Sequence, residues 1–190
     1  MLKDLVAKNR SYRRFYQEEK ISKGELLELV DLARLTSTGA NLQNLKYVLV
    51  NEEEKNAKVF KELKWAGYLK DWDGPEEGEK PSAYILMLVD TEIGSNVFWH
   101  HGLAAQSILL GATEKGYGGC MFAAFDNKNI KDNLGISDRY NILMVIALGK
   151  PKEKVVMDEL LEGGDIKYWR DENKVHHVPK RRLEDIVLDL

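Results

Sequence analysis

The feature that most constrains the fold is a long apolar segment in the second half of the chain. Residues 97–112 form the most apolar stretch, and the helical pattern around them runs from Asn96 to Lys115 with apolar side chains on nearly every face. A helix of this kind needs neighbours or a partner to cover it. It is shorter than a membrane span requires and contains polar residues such as Gln106. The pattern predicts a core helix and no membrane span.

The remaining periodicities predict an α+β fold. Ser22 and Glu25 have capping-box spacing and begin a helix over 23–35. Asn51 and Asp126 are the predicted N-caps of two further helices, the second of which ends at Gly135. The strands are predicted at 47–50, 84–89, 121–125 and 142–148, and the last of them stops at 149–151. Because the order is not a regular βαβ alternation, we expect a single domain over 1–190 with a small mixed sheet.

Composition narrows the class of protein. The net charge of −3 over 190 residues argues against a dedicated nucleic-acid binder, which usually has a basic excess. Neither a phosphate loop of the GxxxxGK type nor a GxGxxG turn is present. Cys120 is the single cysteine, so no internal disulfide can form, and we expect an intracellular, cytoplasmic protein.

Two segments lack periodicity but carry aromatic residues. Residues 65–80 contain two tryptophans, three glycines and a proline, which indicates a lid or an exposed loop. The tail from Lys152 to Arg182 includes Tyr168 and Trp169, and an apolar stretch at 186–188 follows it. A tail with aromatics but no core of its own usually packs on something else, and a partner subunit is one candidate.

Two short basic clusters are candidate anion sites. In the first, at residues 9–15, an extended or turning backbone would place Ser11 and Arg13 on one side, where a hydroxyl and a guanidinium suit a phosphate or a carbonyl. In the second, at residues 178–183, alternation would direct Lys180 and Arg182 the same way. A solvated basic surface explains either cluster alone. The two together, in an otherwise acidic chain, suggest one shared anion.

Two small-residue segments are candidates for ligand contact. In the loop at residues 38–43, Asn41 and Gln43 can each donate and accept, which suits the edge of a planar heterocycle, or they bond to loop backbone. At Gly116–Cys120 the glycines would let a ligand lie against the backbone, although taken alone they favour a tight turn between helix and strand.

The histidines and the cysteine carry weaker signals. His100 and His101 are adjacent and face different ways on a helix, so structural roles are favoured over metal ligation, and no metal site is expected. Cys120 is interpreted as a small buried filler rather than a nucleophile.

The order of these motifs resembles the FMN-dependent nitroreductase family. The motifs are RSYRRF after a first helix, TSTGANLQ before a strand, AAQSILL on a long central helix, the turn KGYGGC, and PKRRLED near the end. The resemblance covers nearly the whole chain. It implies a nitroreductase-like fold, with a central, mostly antiparallel mixed sheet surrounded by helices and a C-terminal tail that wraps the partner subunit.

The resemblance also implies a site. Residues at the positions of Arg10, Ser11 and Arg13 bind FMN, and the Arg13 position stabilises negative charge on the reduced flavin. The positions of Lys180 and Arg182 hold the phosphate. The loop with Thr38, Gly39, Asn41 and Gln43 reaches the flavin of the other subunit in a homodimer, and Gly118 and Gly119 supply backbone contacts.

The activity implied is ping-pong, two-electron transfer from NADH or NADPH to a small-molecule acceptor such as a nitroaromatic or a quinone, with no side-chain nucleophile. A flavin-binding protein without turnover, and a dehydrogenase or dehalogenase reaction on the same scaffold, are the alternatives. The sequence departs from many relatives at Asn9, where a second arginine is common, and at Asn44, where proline is common.

Overall fold

A five-stranded antiparallel sheet organises the larger of two units in the computed structural model, which describes residues 1–188. This unit comprises Met1–Lys64 and Pro75–Lys152. Its strands are β1 (Phe15–Tyr16), β2 (Leu45–Val50), β3 (Ala83–Asp90), β4 (Gly118–Phe122) and β5 (Tyr140–Pro151). The order is β1-β5-β3-β2, and β4 pairs with β5. All pairings are antiparallel, which confirms the expected α+β class.

Five helices belong to the same unit: α1 (Leu2–Lys8), α2 (Lys23–Arg34), α3 (Glu53–Phe60), α4 (His100–Glu114) and α5 (Asn127–Leu134). The helices α2 and α4 pack on one face of the sheet and form a core with it. The side chains that α4 contributes to this core are small or aliphatic. The buried cluster includes Leu26, Leu29, Ile85, Met87, Ala105, Ile108, Leu109, Ile146 and Leu148. The apolar central helix is therefore a core helix, as predicted, although it begins at His100 and not at Asn96.

The local capping signals give mixed results. Ser22 accepts from the backbone of Glu25 while the Glu25 side chain accepts from Ser22, so the capping box is confirmed. Asp126 caps α5, which ends at a left-handed Gly135, as predicted. The prediction for Asn51 is wrong, because α3 begins after Glu52. The Asn51 amide instead donates to the backbone oxygen of Ile21 at 3.2 Å, a tertiary bond that removes it from the helix end.

The ends of two strands differ from the prediction. The strand expected at 121–125 lies at 118–122, because the turn is completed by Gly116, whose φ is +79°, and the next two glycines pair with β5. The strand expected to stop before Gly149 continues to Pro151. A Cβ at Gly149 would lie 2.8 Å from the Phe15 ring, so glycine here lets β5 pass beneath that ring rather than ending the strand.

The second unit comprises Trp65–Gly74 and Glu153–Leu190. Its three strands, β6 (Val155–Glu159), β7 (Trp169–Arg170) and β8 (His176–Lys180), have the order β6-β8-β7, with β6 and β8 parallel. The tail aromatics pack within this unit, since Tyr68 contacts Tyr168 and Trp169 stacks on His177 at 4.2 Å. The strands are too short to show periodicity in the sequence. One domain over 1–190, and a tail that wraps a partner, remain predictions.

A nearly buried ion cluster fastens β1 to the segment that precedes β3. Glu79 accepts two bonds from Arg14, at 2.5 and 2.7 Å, and lies 3.2 Å from the Lys152 ammonium. The Arg14 guanidinium and then Lys152 lower the pKa of Glu79 from 4.5 to about 2. Because the folded-state pKa is lowered, the stabilisation is complete above about pH 5 and is lost as the pH falls towards 2.

We expect Glu79→Gln to lower the free energy of unfolding by about 2 kcal/mol at pH 7, because it removes charge-assisted bonds to a guanidinium that is mostly buried. The difference from wild type should shrink as the pH falls below 4. Urea unfolding at several pH values measures both effects. Glu54→Gln, which removes an exposed i,i+4 pair with Lys58, is the matched control and should change stability by less than about 0.5 kcal/mol. Equal losses in the two variants would contradict the assignment.

Candidate functional site

The first basic cluster runs alongside β4. Ser11 pairs with Gly119 as a parallel bridge, and the Tyr12 amide donates to the Gly119 oxygen at 3.0 Å. Ser11 is exposed, whereas Arg13 is 9% exposed and donates to the Ser11 backbone oxygen at 3.2 Å. The extended or turning backbone predicted for this segment is present, since Ser11 bridges to Gly119 and the Tyr12 amide also donates to the Arg10 oxygen at 2.9 Å. It brings two candidate groups together, the Arg10–Arg13 segment and the glycines of β4.

Gly118 and Gly119 are required by close packing within the chain. A Cβ at Gly118 would collide with the Tyr12 ring, and one at Gly119 would lie 2.6 Å from the Ala147 oxygen. Both residues are buried and lie in a strand, so the tight turn considered from sequence is at Gly116 instead. The absence of a side chain at Gly118 lets the Tyr12 ring of the Arg10–Arg13 segment approach the sheet, whereas at Gly119 it lets β4 pack closely on β5 and α4.

Arg10 has a structural task at the end of α1. Its Nε donates to the Asn9 oxygen at 2.6 Å, and Nη2 donates to the Val6 oxygen at 3.0 Å. These carbonyls belong to the last turn of the helix, where they lack intrahelical donors. A guanidinium carries five N–H groups in all. Arg10 thus holds the segment against α1.

The loop at residues 38–43 adopts an unusual backbone. A short 3-10 helix covers Gly39–Asn41, and Ala40, Asn41 and Gln43 have φ values of 52°, 52° and 49°. The side chains of Thr38, Asn41 and Gln43 line a cleft of about 170 Å³. Within residues 1–188 the buried Thr38 Oγ1 has no hydrogen-bond partner. This cleft thus offers polar groups of the kind that bind a heterocycle edge.

His100 positions that loop, a role that sequence reasoning did not assign. Its Nε2 accepts the Gly39 amide at 2.7 Å, and the side chain is 2% exposed at the first residue of α4. A Cβ at Gly39 would lie 3.0 Å from the same nitrogen. The available signal was a histidine on the buried face of an apolar helix, since such a side chain needs a polar partner.

The loop and the Arg10–Arg13 segment lie at opposite ends of α4. His100 begins this 15-residue helix and bonds to the loop, whereas the strand that bonds to Tyr12 follows its end. At about 1.5 Å rise per residue, this helix is roughly 22 Å long.

The two tail cations lie in the second unit. Lys180 ends β8 and is exposed, and its backbone oxygen accepts from the Leu160 amide at 2.8 Å. Arg182 lies at the start of a 3-10 helix and contacts Asp185 at 3.1 Å and Glu184 at 3.3 Å. The hydrogen bond to Asp185 and the charge of that carboxylate, followed by the charge of Glu159, raise the pKa of Arg182. The alternation predicted for the pair therefore stops at Lys180.

The remaining candidate residues lie in ordinary structural surroundings. Cys120 is buried within β4 and forms no disulfide, as expected of a small filler. In the part of the chain that the structure describes, no three His, Cys, Asp or Glu side chains are grouped closely enough to hold a metal. Among these same residues, no helix has the length and apolar character needed to cross a membrane.

A profile of the nitroreductase family matches residues 6–150, which include every candidate residue of the larger unit. This chain belongs to the nitroreductase family. A Bacillus subtilis protein provisionally named NAD(P)H nitroreductase YodC is 23% identical over 196 residues, covering 87% of this chain and 97% of that protein. Membership supports an oxidoreductase. The tail cations lie beyond the matched residues.

Solved structures show the same nitroreductase fold. A protein provisionally named nitroreductase ydfN from Bacillus subtilis aligns with a TM-score of 0.68 and 20% identity, covering 100% of this chain and 98% of that one. A nitroreductase relative from Exiguobacterium sibiricum, crystallised in complex with FMN, aligns with a TM-score of 0.67 and 18% identity, covering 80% of this chain and 89% of that one. The predicted nitroreductase-like fold is confirmed.

We expect His100→Leu to accelerate hydrogen exchange of the Gly39 amide about tenfold, because the loop loses its buried acceptor, worth about 1.4 kcal/mol. Exchange measured by NMR or mass spectrometry checks this. His100→Gln restores an acceptor and should partly recover protection. His101→Leu, the adjacent histidine on another face of α4, is the control. Unchanged exchange in His100→Leu would show that the bond does not hold the loop.

Proposed function

We propose that this family member is an FMN-dependent NAD(P)H oxidoreductase of nitroreductase type. The observation that carries the proposal is a deeply buried arginine beside an exposed serine, Arg13 and Ser11, on a segment bonded to the central sheet. Bound FMN would supply two-electron chemistry, taking a hydride from NADH or NADPH and giving it to a nitroaromatic, quinone or similar acceptor in a ping-pong sequence.

The residues of the larger unit fit a flavin. The Arg13 guanidinium places a fixed positive charge where burial strengthens its attraction for developing negative charge. The Ser11 hydroxyl is exposed beside it. At the other end of α4, the orphan hydroxyl of Thr38 and the amides of Asn41 and Gln43 suit polar ring edges. Gly118 shapes the site by letting the segment approach, Gly119 by letting β4 pack on its neighbours, and Arg10 fixes the start of the segment.

We assign the FMN phosphate to Lys180 and Arg182, following the family resemblance. Arg182 is already paired with Asp185 and Glu184 at an exposed position. Exposed pairs of this kind contribute little, so exchange of a carboxylate for a doubly charged phosphate is inexpensive. Lys180 adds a second cation close by along the chain.

No side chain needs to act as a nucleophile in this proposal. The chain binds, orients and supplies charge, and the acceptor's chemistry is set by what the site admits. The cytoplasmic location remains a prediction that rests on the single cysteine, Cys120.

We further propose that the working form is a homodimer with two sites at its interface. The loop is bonded to the start of α4 and the Arg10–Arg13 segment to the strand that follows its end, so we infer that each flavin is contacted by the loop of one chain and the segment of the other. The face of α4 that carries Trp99 and Leu103 is exposed, and Trp99 is 75% exposed. Leu27 of α2 and Leu35, the residue that follows this helix, are exposed as well. A two-fold partner would cover this apolar surface and supply the missing loop.

The purified protein should contain FMN and oxidise NAD(P)H with a suitable acceptor. Released cofactor is identified by chromatography, and steady-state oxidation separates an enzyme from a flavin-binding protein without turnover. Arg182→Ala should weaken FMN binding about tenfold or more, because one charged hydrogen-bond partner is lost. Fluorescence titration of the apoprotein measures this, with Arg181→Ala as the neighbouring control. FAD in place of FMN, or no affinity for added FMN, would overturn the proposal.

Mixed dimers test the two-chain site. Arg13→Ala damages one half of each site, and Asn41→Asp damages the other while tolerating the left-handed backbone. Each variant alone should lose most flavin and activity. Mixing the two variants by unfolding and refolding should give heterodimers with about half of the wild-type activity, because one of the two sites in each heterodimer is intact. No restoration in heterodimers isolated by two affinity tags would place all flavin contacts in one chain.

A further inference from the structure

A second cavity lies on the face of the sheet opposite α2 and α4. Tyr84 of β3 forms its floor, whereas the neighbouring Ala83 and Ile85 pack in the core with those helices. Because successive side chains of a strand alternate between faces, Tyr84 lies on the other side. The volume is about 290 Å³, near the lower end of small-molecule pockets. None of the candidate flavin residues lines it.

The floor holds polar atoms that the protein does not satisfy. The Tyr84 hydroxyl is buried in a side chain with 0% exposure and has no partner within residues 1–188. Burial raises the pKa of Tyr84, so the hydroxyl stays protonated and can donate. Asn56 also lines the cavity. Its Nδ2 donates to the Ser82 oxygen at 2.8 Å, and its buried Oδ1 has no partner among the described residues.

Unsatisfied buried polar atoms are costly, each by about 1–3 kcal/mol. Two of them at the floor of one cavity indicate a bound group that both donates and accepts. A hydroxyl does this, since its proton can bond to Asn56 Oδ1 while its lone pairs accept from Tyr84. An inorganic anion cannot donate to Asn56 unless it is protonated.

The wall is apolar and partly aromatic. Phe60, at the end of α3, faces the cavity together with Pro81 and Ala57. The Lys80 ammonium lies 5.0 Å from the centre of the Phe60 ring. The segment that carries Lys80 is fixed, since the Gln17 side chain accepts from the Lys80 amide at 3.1 Å and donates to Glu77 at 2.6 Å. A flat ring fits against such a rigid wall.

The lining has one positive charge in excess, with three lysines, at positions 20, 61 and 80, against two glutamates, at positions 53 and 77. Lys80 is paired with Glu77 at 2.6 Å. The exposed ammonium groups of Lys20 and Lys61 remain to face a monoanion. The polar atoms of the floor therefore favour a ligand with a hydroxyl, the apolar wall favours a ring, and these lysines favour a carboxylate.

We propose that this cavity binds a small hydroxylated aromatic acid, at a site separate from the one that would hold the flavin. The ring lies against Phe60, the hydroxyl reaches Tyr84 and Asn56, and the carboxylate contacts the lysines. The site does not depend on the proposed redox activity, because it shares no residue with it.

Calorimetric titration of the protein as purified, with 4-hydroxybenzoate as the probe, tests the site. Benzoate, which lacks the hydroxyl, and 4-hydroxybenzyl alcohol, which lacks the carboxylate, should each bind at least tenfold more weakly. Tyr84→Phe should weaken 4-hydroxybenzoate about tenfold without lowering the thermal midpoint, because it removes only an unpaired hydroxyl. Tyr140→Phe, at the first residue of β5 and outside the cavity, is the matched control and should bind as wild type.

Lys61→Met, at an exposed position that should tolerate substitution, gives an independent readout. It should weaken 4-hydroxybenzoate severalfold and leave 4-hydroxybenzyl alcohol unaffected. The flavin absorbance, where flavin is present, should not change during the titration. The proposal is overturned if the wild-type protein does not bind the probe at millimolar concentration, or if Tyr84→Phe and Lys61→Met both bind it with wild-type affinity. A change in the flavin spectrum, together with wild-type affinity in both variants, also overturns it, because the acid then binds at the flavin.

Discussion

The packing of α4 against the sheet and α2 sets the positions of both halves of the candidate site. The helix presents small residues, Ala104, Ala105 and Ala112, to its neighbours, and a Cβ at Gly111 would overlap Leu32 of α2. Close approach of this kind leaves little freedom for the helix to slide or rotate. The loop bonded to its first residue and the strand that follows its last turn are therefore fixed relative to each other.

Those features that depend on local chemistry could be predicted from the sequence. The capping box at Ser22, the cap and stop of α5, and the apolar character of α4 each arise from residues within a few positions of one another. Features that depend on distant partners could not. Asn51 is drawn away from a helix end by Ile21, and the register of β4 follows from packing against Tyr12 and Ala147. No local pattern contains either partner.

The candidate site shows the same division between features that depend on local sequence and features that depend on distant partners. The extended or turning backbone predicted for the segment with Ser11 and Arg13 is observed, and its bonds join the segment to β4. The role of His100 in holding the loop was not predicted, because its bond to Gly39 joins residues that are 61 positions apart. Burial of a histidine at the start of an apolar helix gave the only hint. The flavin contacts themselves remain proposals, since family membership names a scaffold and the chemistry depends on the individual side chains.

The charges in the tail show why affinity for a phosphate cannot be inferred from basic residues alone. Arg182 is held by Asp185 and Glu184, so a phosphate must displace carboxylates rather than meet a free guanidinium. Both states contain charge-assisted bonds, and the gain is the difference between them. That difference grows with the charge of the incoming group, and a dianionic phosphate exceeds one carboxylate. Because exposed pairs of this kind contribute little, they oppose the exchange only weakly, and the proposed phosphate contact depends on the charge that FMN would bring.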